Sequence, residues 1–219
     1  SSLIVPILIF VLCSIMLGLG FLWVKAGKLE SRLAPFLASG FEAGMLGIPL
    51  FGLLFPGQES KFAILILGQE IFVFTLYKML LTGKTSPKAI INDFLTSPTL
   101  IGVILGLLVG ATGLYDLLGK WGVSVILDSI CSFISAPTAM IILLTVGFDL
   151  AIKQIPWKKT GGFIAMRLVI AGVMLGLLVL LNRTVLNGMM FEGALVMLFI
   201  LPSPYVIPIF SDEPTERVQ

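Results

Sequence analysis

Residues Gly40 to Phe51 read GFEAGMLGIPLF. The stretch sits inside an apolar run, Leu33 to Phe55, that is long enough to cross a bilayer. Within that run it places an ionisable side chain, Glu42, three glycines and a helix breaker, Pro49. At a rise of about 1.5 Å per residue, Glu42 lies ~14 Å from the nearer end of the run. An ionised carboxylate at that depth costs at least ~2.5 kcal/mol. Irregular backbone there is tolerated only against other protein or a wet cavity. The reading of this stretch therefore decides whether the run is a simple kinked helix or a broken one that forms part of a site.

The rest of the chain sets the solvent. Of its 219 residues, 58% are hydrophobic and 12% charged, against about 25% charged in soluble domains, and the mean hydropathy is +1.10. These values predict an all-α integral membrane protein. The net charge of +2 and the lack of a long basic run exclude a polyanion groove, so no nucleic acid partner is expected. No histidine is present, which removes the commonest general base and metal ligand. No nucleophile–base set, phosphate loop or metal cluster is visible, so neither an enzyme nor a cofactor is expected. Cys13 and Cys131 lie in apolar segments and read as packing residues.

Seven candidate spans follow: Leu3–Val24, Leu33–Phe55, Phe62–Leu81, Pro98–Leu118, Val123–Ile152 interrupted at Pro137, Gly161–Leu181, and Phe191–Phe210 interrupted at Pro202, Pro204 and Pro208. The basic residues sort between the loops. Lys25, Lys28 and Arg32 fall after span one, Lys78, Lys84 and Lys88 around the end of span three, and Lys153, Lys158 and Lys159 after span five, while the opposite loops hold Lys61, Lys120 and Arg183 singly. By the positive-inside rule Ser1 lies outside a cell membrane, and the loops 25–32, 84–96 and 153–160 are cytoplasmic. Trp23, Trp121 and Trp157 fall near span ends, as interfacial aromatics do.

A repeat is legible. Ile48-Pro49-Leu50-Phe51 recurs as Ile207-Pro208-Ile209-Phe210, an offset of 159 residues (207 − 48). The same offset carries span one onto span six, and each pair runs in opposite directions through the bilayer. That is the pattern of an inverted repeat. It divides the chain into a partial first repeat at 1–82 with its broken helix at 33–55, a cytoplasmic linker at 83–96, and a partial second repeat at 97–219 with its broken helix at 191–210. It also predicts partners for the remaining spans before Ser1 and beyond Gln219, so the sequence reads as a piece of a ten-helix protein arranged five plus five.

The residues also resemble a known family. GFEAGMLGIPLF is similar to the fourth-helix motif of the auxin efflux carrier family, approximately G-F-x-N-T-G-F-L-G-I-P-L, on a PIN-like fold. SPTLIGVILGLLVG (Ser97–Gly110) resembles that family's sixth helix, APTAMIILLTVGFDLA (Ala136–Ala151) its seventh, and LPSP (Leu201–Pro204) its broken ninth. The resemblance implies two inverted five-helix repeats, and a permease for secondary transport of organic anions such as the dicarboxylates malate and malonate. It also implies a site where the fourth and ninth helices, here spans two and seven, cross. The family commonly has asparagine where this chain has Glu42. An amide donates to a carboxylate at any pH, but a glutamate does so only when protonated. Shifting Glu42 by the repeat offset gives Leu201, which has no polar side chain.

The candidate substrate site is thus Glu42, Ala43, Gly44, Gly47, Pro49, Pro202, Ser203 and Pro204, with half-helix dipoles facing the ligand. Glu42, Gln69 and Glu70 are the candidates for a coupling ion, H⁺ or Na⁺. The plainer alternatives are a packed kink at Pro49, a neutral hydrogen-bonded Glu42 and an interhelical hydrogen bond at Glu70. Asp128 reads as a cavity-rim or snorkelling acid and Asp149 as interfacial. Arg167, six residues into span six, reads as snorkelling to the cytoplasmic face or attracting anions from it. Gly102, Gly106 and Gly110, and Gly172 and Gly176, form G-x-x-x-G stripes that read as helix packing within a scaffold or homodimer interface. Two other functions stay open at this point: a membrane sensor that binds a ligand in the same pocket without moving it, and a carrier of the same fold for Na⁺ or a cationic solute.

Overall fold

A computed structural model of the chain describes residues 4–27, 32–83, 98–137, 140, 141, 144, 148, 157–205 and 207. The linker at 84–96, Asp149 and Pro208 lie outside the described residues. All regular structure among the described residues is helical. Ten α-helices are labelled here in chain order: α1 Ile4–Ala26, α2 Ala34–Leu37, α3 Ile48–Leu54, α4 Glu59–Phe72, α5 Lys78–Thr82, α6 Pro98–Ala111, α7 Leu114–Lys120, α8 Val123–Ser135, α9 Trp157–Thr184 and α10 Glu192–Ile200. Two π-helical turns, Ala43–Gly47 and Val73–Tyr77, run directly into α3 and α5.

Among the described residues three helical stretches are long and apolar enough to cross a membrane: Ile4–Ala26, Glu59–Thr82 and Thr160–Thr184. They coincide with spans one, three and six. A fourth is a bent pair, Leu114–Lys120 with Val123–Ile134, turned by 106°. Of the other expected spans, two, four and seven are interrupted among the described residues, and most of span five beyond Pro137 lies outside them. Span four is interrupted at Thr112–Gly113, which leaves α6 at 14 residues, about 21 Å of the ~30 Å hydrocarbon core. Span two is interrupted between α2 and the first π turn, and span seven after Ile200.

The chain forms two compact units, and their bounds differ from those expected of sequential repeats. One comprises residues 1–86 and 152–219, the other residues 87–151. Within the first unit, α1 packs on α4 and α2, α9 on α1, α2 and α10, and α10 on α4. Lipid is as apolar as leucine, so packing rather than water exclusion holds such helices together. Gly68 of α4 shows this: a Cβ there would run into the Pro6 backbone of α1. Phe51 and Phe62 stack with centroids 4.5 Å apart and pin α3 to α4, a contact worth about 0.5–1.5 kcal/mol. The outward face of α9, with Ile164, Leu168, Val173 and Leu177, is exposed and suits acyl chains.

The glycines of the two G-x-x-x-G stripes make no close approach within the described residues of this chain. Among the described residues nothing lies within 4 Å of a Cβ built on Gly102, Gly106, Gly110, Gly172 or Gly176. Close approaches are made at Gly20, Gly40, Gly47 and Gly68, and of these only Gly40 has a glycine four residues away, Gly44.

In the second unit Asp128 accepts a hydrogen bond from the Tyr115 hydroxyl at 2.6 Å, so its carboxylate is held by a neighbouring aromatic and does not snorkel alone. Both cysteines are free, Cys13 buried and Cys131 exposed.

Candidate functional site

The break in span two begins where α2 ends. Residues Ala38 to Glu42 leave the helix, and Gly40 takes φ +71°, the left-handed region that costs an L-residue roughly 1–2 kcal/mol. A Cβ on Gly40 would also lie 2.7 Å from Cγ of Pro204. The break in span seven begins at Leu201, followed by Pro202-Ser203-Pro204, which has no regular structure. Proline has no N–H to continue a helix, and two of them within three residues hold the chain open.

The two breaks touch through a reciprocal pair of hydrogen bonds. The Glu42 N–H donates to the Pro202 carbonyl at 2.9 Å. The Tyr205 N–H donates to Oε2 of Glu42 at 2.7 Å. Glu42 is 7% exposed, so this pairing satisfies backbone groups that have no water to turn to.

Span three supplies the third wall. Gln69 is buried, and its Oε1 accepts the Phe41 N–H at 3.0 Å, while its Nε2 donates to Oε1 of Glu70 at 3.4 Å. The interhelical hydrogen bond expected of Glu70 is therefore made by its neighbour. Glu70 is buried. Its Oε1 is 4.0 Å from a Cβ built on Gly44. The two acids are also flanked by the two π turns. Glu42 immediately precedes the first, and Glu70 precedes the second by three residues. Such turns recur at functional sites because they re-aim side chains that a regular helix would hold in line.

The remaining candidates divide. Gly47 packs against Leu201 and Phe62, with 2.7 Å from a built Cβ to Cδ1 of Leu201. Pro204 is buried against Gly40, Ala43 is buried beside Glu42, and half-buried Ser203 makes no hydrogen bond among the described residues. Pro202 contributes its carbonyl while its ring is exposed.

Pro49 is corrected: it does not make the break. It is exposed and sits in the first turn of α3, downstream of the interruption. The π turn before it widens the backbone where the ring would otherwise strike a carbonyl of the preceding turn. Gly47 does not leave its backbone unpaired either, since its N–H donates to the Glu42 carbonyl at 3.1 Å.

Arg167 is the residue the sequence misplaced. It turns inward, and its guanidinium donates to the carbonyls of Leu37 at 2.8 Å, Gly40 at 2.9 Å and Leu201 at 2.8 Å. Its charge also lies over the Phe41 ring, 5.3 Å from the centroid. The arginine neither snorkels nor faces a loop, because three carbonyls stripped of helical partners attract it more strongly than the interface does. The only hint in the sequence was an uncompensated charge inside a span. Tyr77 completes the carbonyl accounting, its hydroxyl donating to Phe36 at 2.9 Å.

A cavity of about 540 Å³ lies elsewhere in the same unit, lined by residues that include Lys61, Asn182, Met190 and Phe191, and by none of the crossing residues. Chemically, the crossing offers two buried acids, a carboxamide and irregular backbone, with its arginine already engaged.

Comparison with family models, with curated proteins and with solved structures gives no match to this chain.

Proposed function

We propose that this chain belongs to a secondary active transporter of PIN-like architecture, a permease for small organic anions that bind where two broken helices cross. The observation that carries the reading is the reciprocal bonding of Glu42 with Pro202 and Tyr205, which joins two chain breaks at a buried acid. Two interrupted helices meeting inside a membrane unit make a ligand site with half-helix ends for walls. The inverted repeat is supported by register. Shifted by 159 residues, α1 falls on 163–185, ending one residue beyond the Thr184 end of α9, and Gly40–Glu42 falls on 199–201, reaching the start of the second break at Leu201. The alternation of basic loops then sets Ser1 outside and the basic loops in the cytoplasm. The resemblance to the auxin efflux carrier family points the same way.

Protons couple to the substrate through Glu42 and Glu70. Protonated, the two carboxyl groups donate to a ligand carboxylate; ionised, they repel it. Uptake of labelled malate and malonate into proteoliposomes of the full-length protein tests this. Uptake rises as pH falls, Glu42→Gln transports with a weakened response to pH, and Glu42→Gln combined with Glu70→Gln transports without one. A folded protein that moves neither anion at any pH ends the anion reading.

A second reading has one observation of its own. Among the described residues no cationic side chain pairs with Glu42 or Glu70, which suits a site for Na⁺ or a cationic solute. Uptake that requires sodium, or competition by amines, selects it.

A further inference from the structure

The first segments of both broken spans end in carbonyl groups with no helical N–H to accept. In α2 and the turn after it these are Leu37 and Gly40, and at the end of α10 the group is Leu201. Each unwound carbonyl presents the negative end of its own peptide dipole, and in transporters with discontinuous helices such unwound carbonyls are where coupling cations bind. Here the three carbonyls converge on one guanidinium, carried on a third element, α9. The positive charge has no carboxylate partner among the described residues, and the Phe41 ring supplies only a π face at 5.3 Å. Its electrostatic compensation is therefore the carbonyl cluster itself. A neutral side chain with the same reach would satisfy one or two carbonyls. The planar fork satisfies three, from segments 164 residues apart (201 − 37).

We propose that Arg167 is the resident cation of the crossing, a positioning residue that takes the place of a metal ion at the carbonyl ends of both broken spans and locks one break to the other. The assignment rests on the geometry of the breaks, and only its transport consequence rests on the carrier reading above. The charge, and not only the hydrogen bonds, is what holds the breaks together. Arg167→Lys, which keeps the charge and loses the fork, therefore retains more than Arg167→Gln, which keeps two N–H donors and loses the charge.

The test uses the full-length protein in lipid nanodiscs, with the thermal unfolding midpoint as a readout that needs no substrate. Arg167→Ala lowers the midpoint. Millimolar guanidinium chloride restores part of it, choline chloride does not, and the wild type gains nothing from either. In proteoliposomes that transport, the same variant loses about 10- to 100-fold in apparent affinity, the factor that loss of a charged hydrogen bond implies, and guanidinium recovers it in parallel. If Arg167→Ala does not fold, the ranking of Arg167→Lys above Arg167→Gln carries the test. Glutamine equal to or better than lysine overturns the proposal, as does an alanine variant that folds, matches the wild type or ignores guanidinium. Rescue of the midpoint in a protein that transports nothing would leave the arginine assignment standing and remove the carrier reading.

Discussion

The two breaks that meet at the crossing are built differently. The break after α2 has a left-handed glycine, a carboxylate and supporting side chains from three other elements: Gln69 on α4, Tyr77 in the second π turn and Arg167 on α9. The break after α10 has two prolines and a serine, and is held by the first break and by the same arginine. One is propped from outside, while the other leans on its partner. Two interrupted segments can therefore share one junction while the chemistry is concentrated in one of them. Leu201 stands at the position that the repeat offset pairs with Glu42, and it contributes only a carbonyl and packing.

That asymmetry can be attacked residue by residue. The largest effect belongs to Gly40→Val. It forces a β-branched residue into the left-handed region and drives it into Pro204, so a loss of at least about 2 kcal/mol is expected, read as a collapse of the unfolding midpoint. A valine tolerated there would mean that the first break is not fixed by Gly40.

Next comes Gln69→Leu, which leaves the Phe41 N–H buried without an acceptor. A cost of about 1–2 kcal/mol is expected, with faster hydrogen exchange at Phe41 as the local signature. Tyr77→Phe removes one hydrogen bond to a carbonyl and keeps the ring, which also packs on Phe36 and Phe72; about 0.6 kcal/mol is expected from it.

Smallest of all is Ser203→Ala, within about 0.5 kcal/mol, because the second break is held by its backbone. A serine substitution as costly as the glutamine one would show that the second break has its own polar support, and the contrast drawn here would fail.

The two interruptions were legible because glycine and proline clusters within apolar runs leave few other readings, and Glu42 was legible because an acid at that depth needs a reason. Pro49 drew too much weight. A proline in a run looks like the point of fracture, yet the π turn ahead of it absorbs the ring and the fracture falls on Gly40. The spacing of the G-x-x-x-G stripes says that a close approach can be made on that face, and among the described residues of this chain none is. Arg167 was placed at the membrane surface because sequence position gives depth and says nothing of rotation about the helix axis.

Composition and periodicity by themselves determined the solvent of this protein, its helical class, three of its long spans and the presence of an acid inside an interrupted one. These are local properties: hydrocarbon admits only apolar side chains and self-satisfied backbone, and each run of about 20 residues meets that requirement alone. The tertiary structure alone decided which orphaned groups find each other. It set Glu42 against Pro202 and Tyr205, Gln69 against Phe41, and Arg167 against three carbonyls. Those partners are brought together by packing across long stretches of chain, and the cost of an unpaired polar group in a membrane is paid or avoided only once the helices have met.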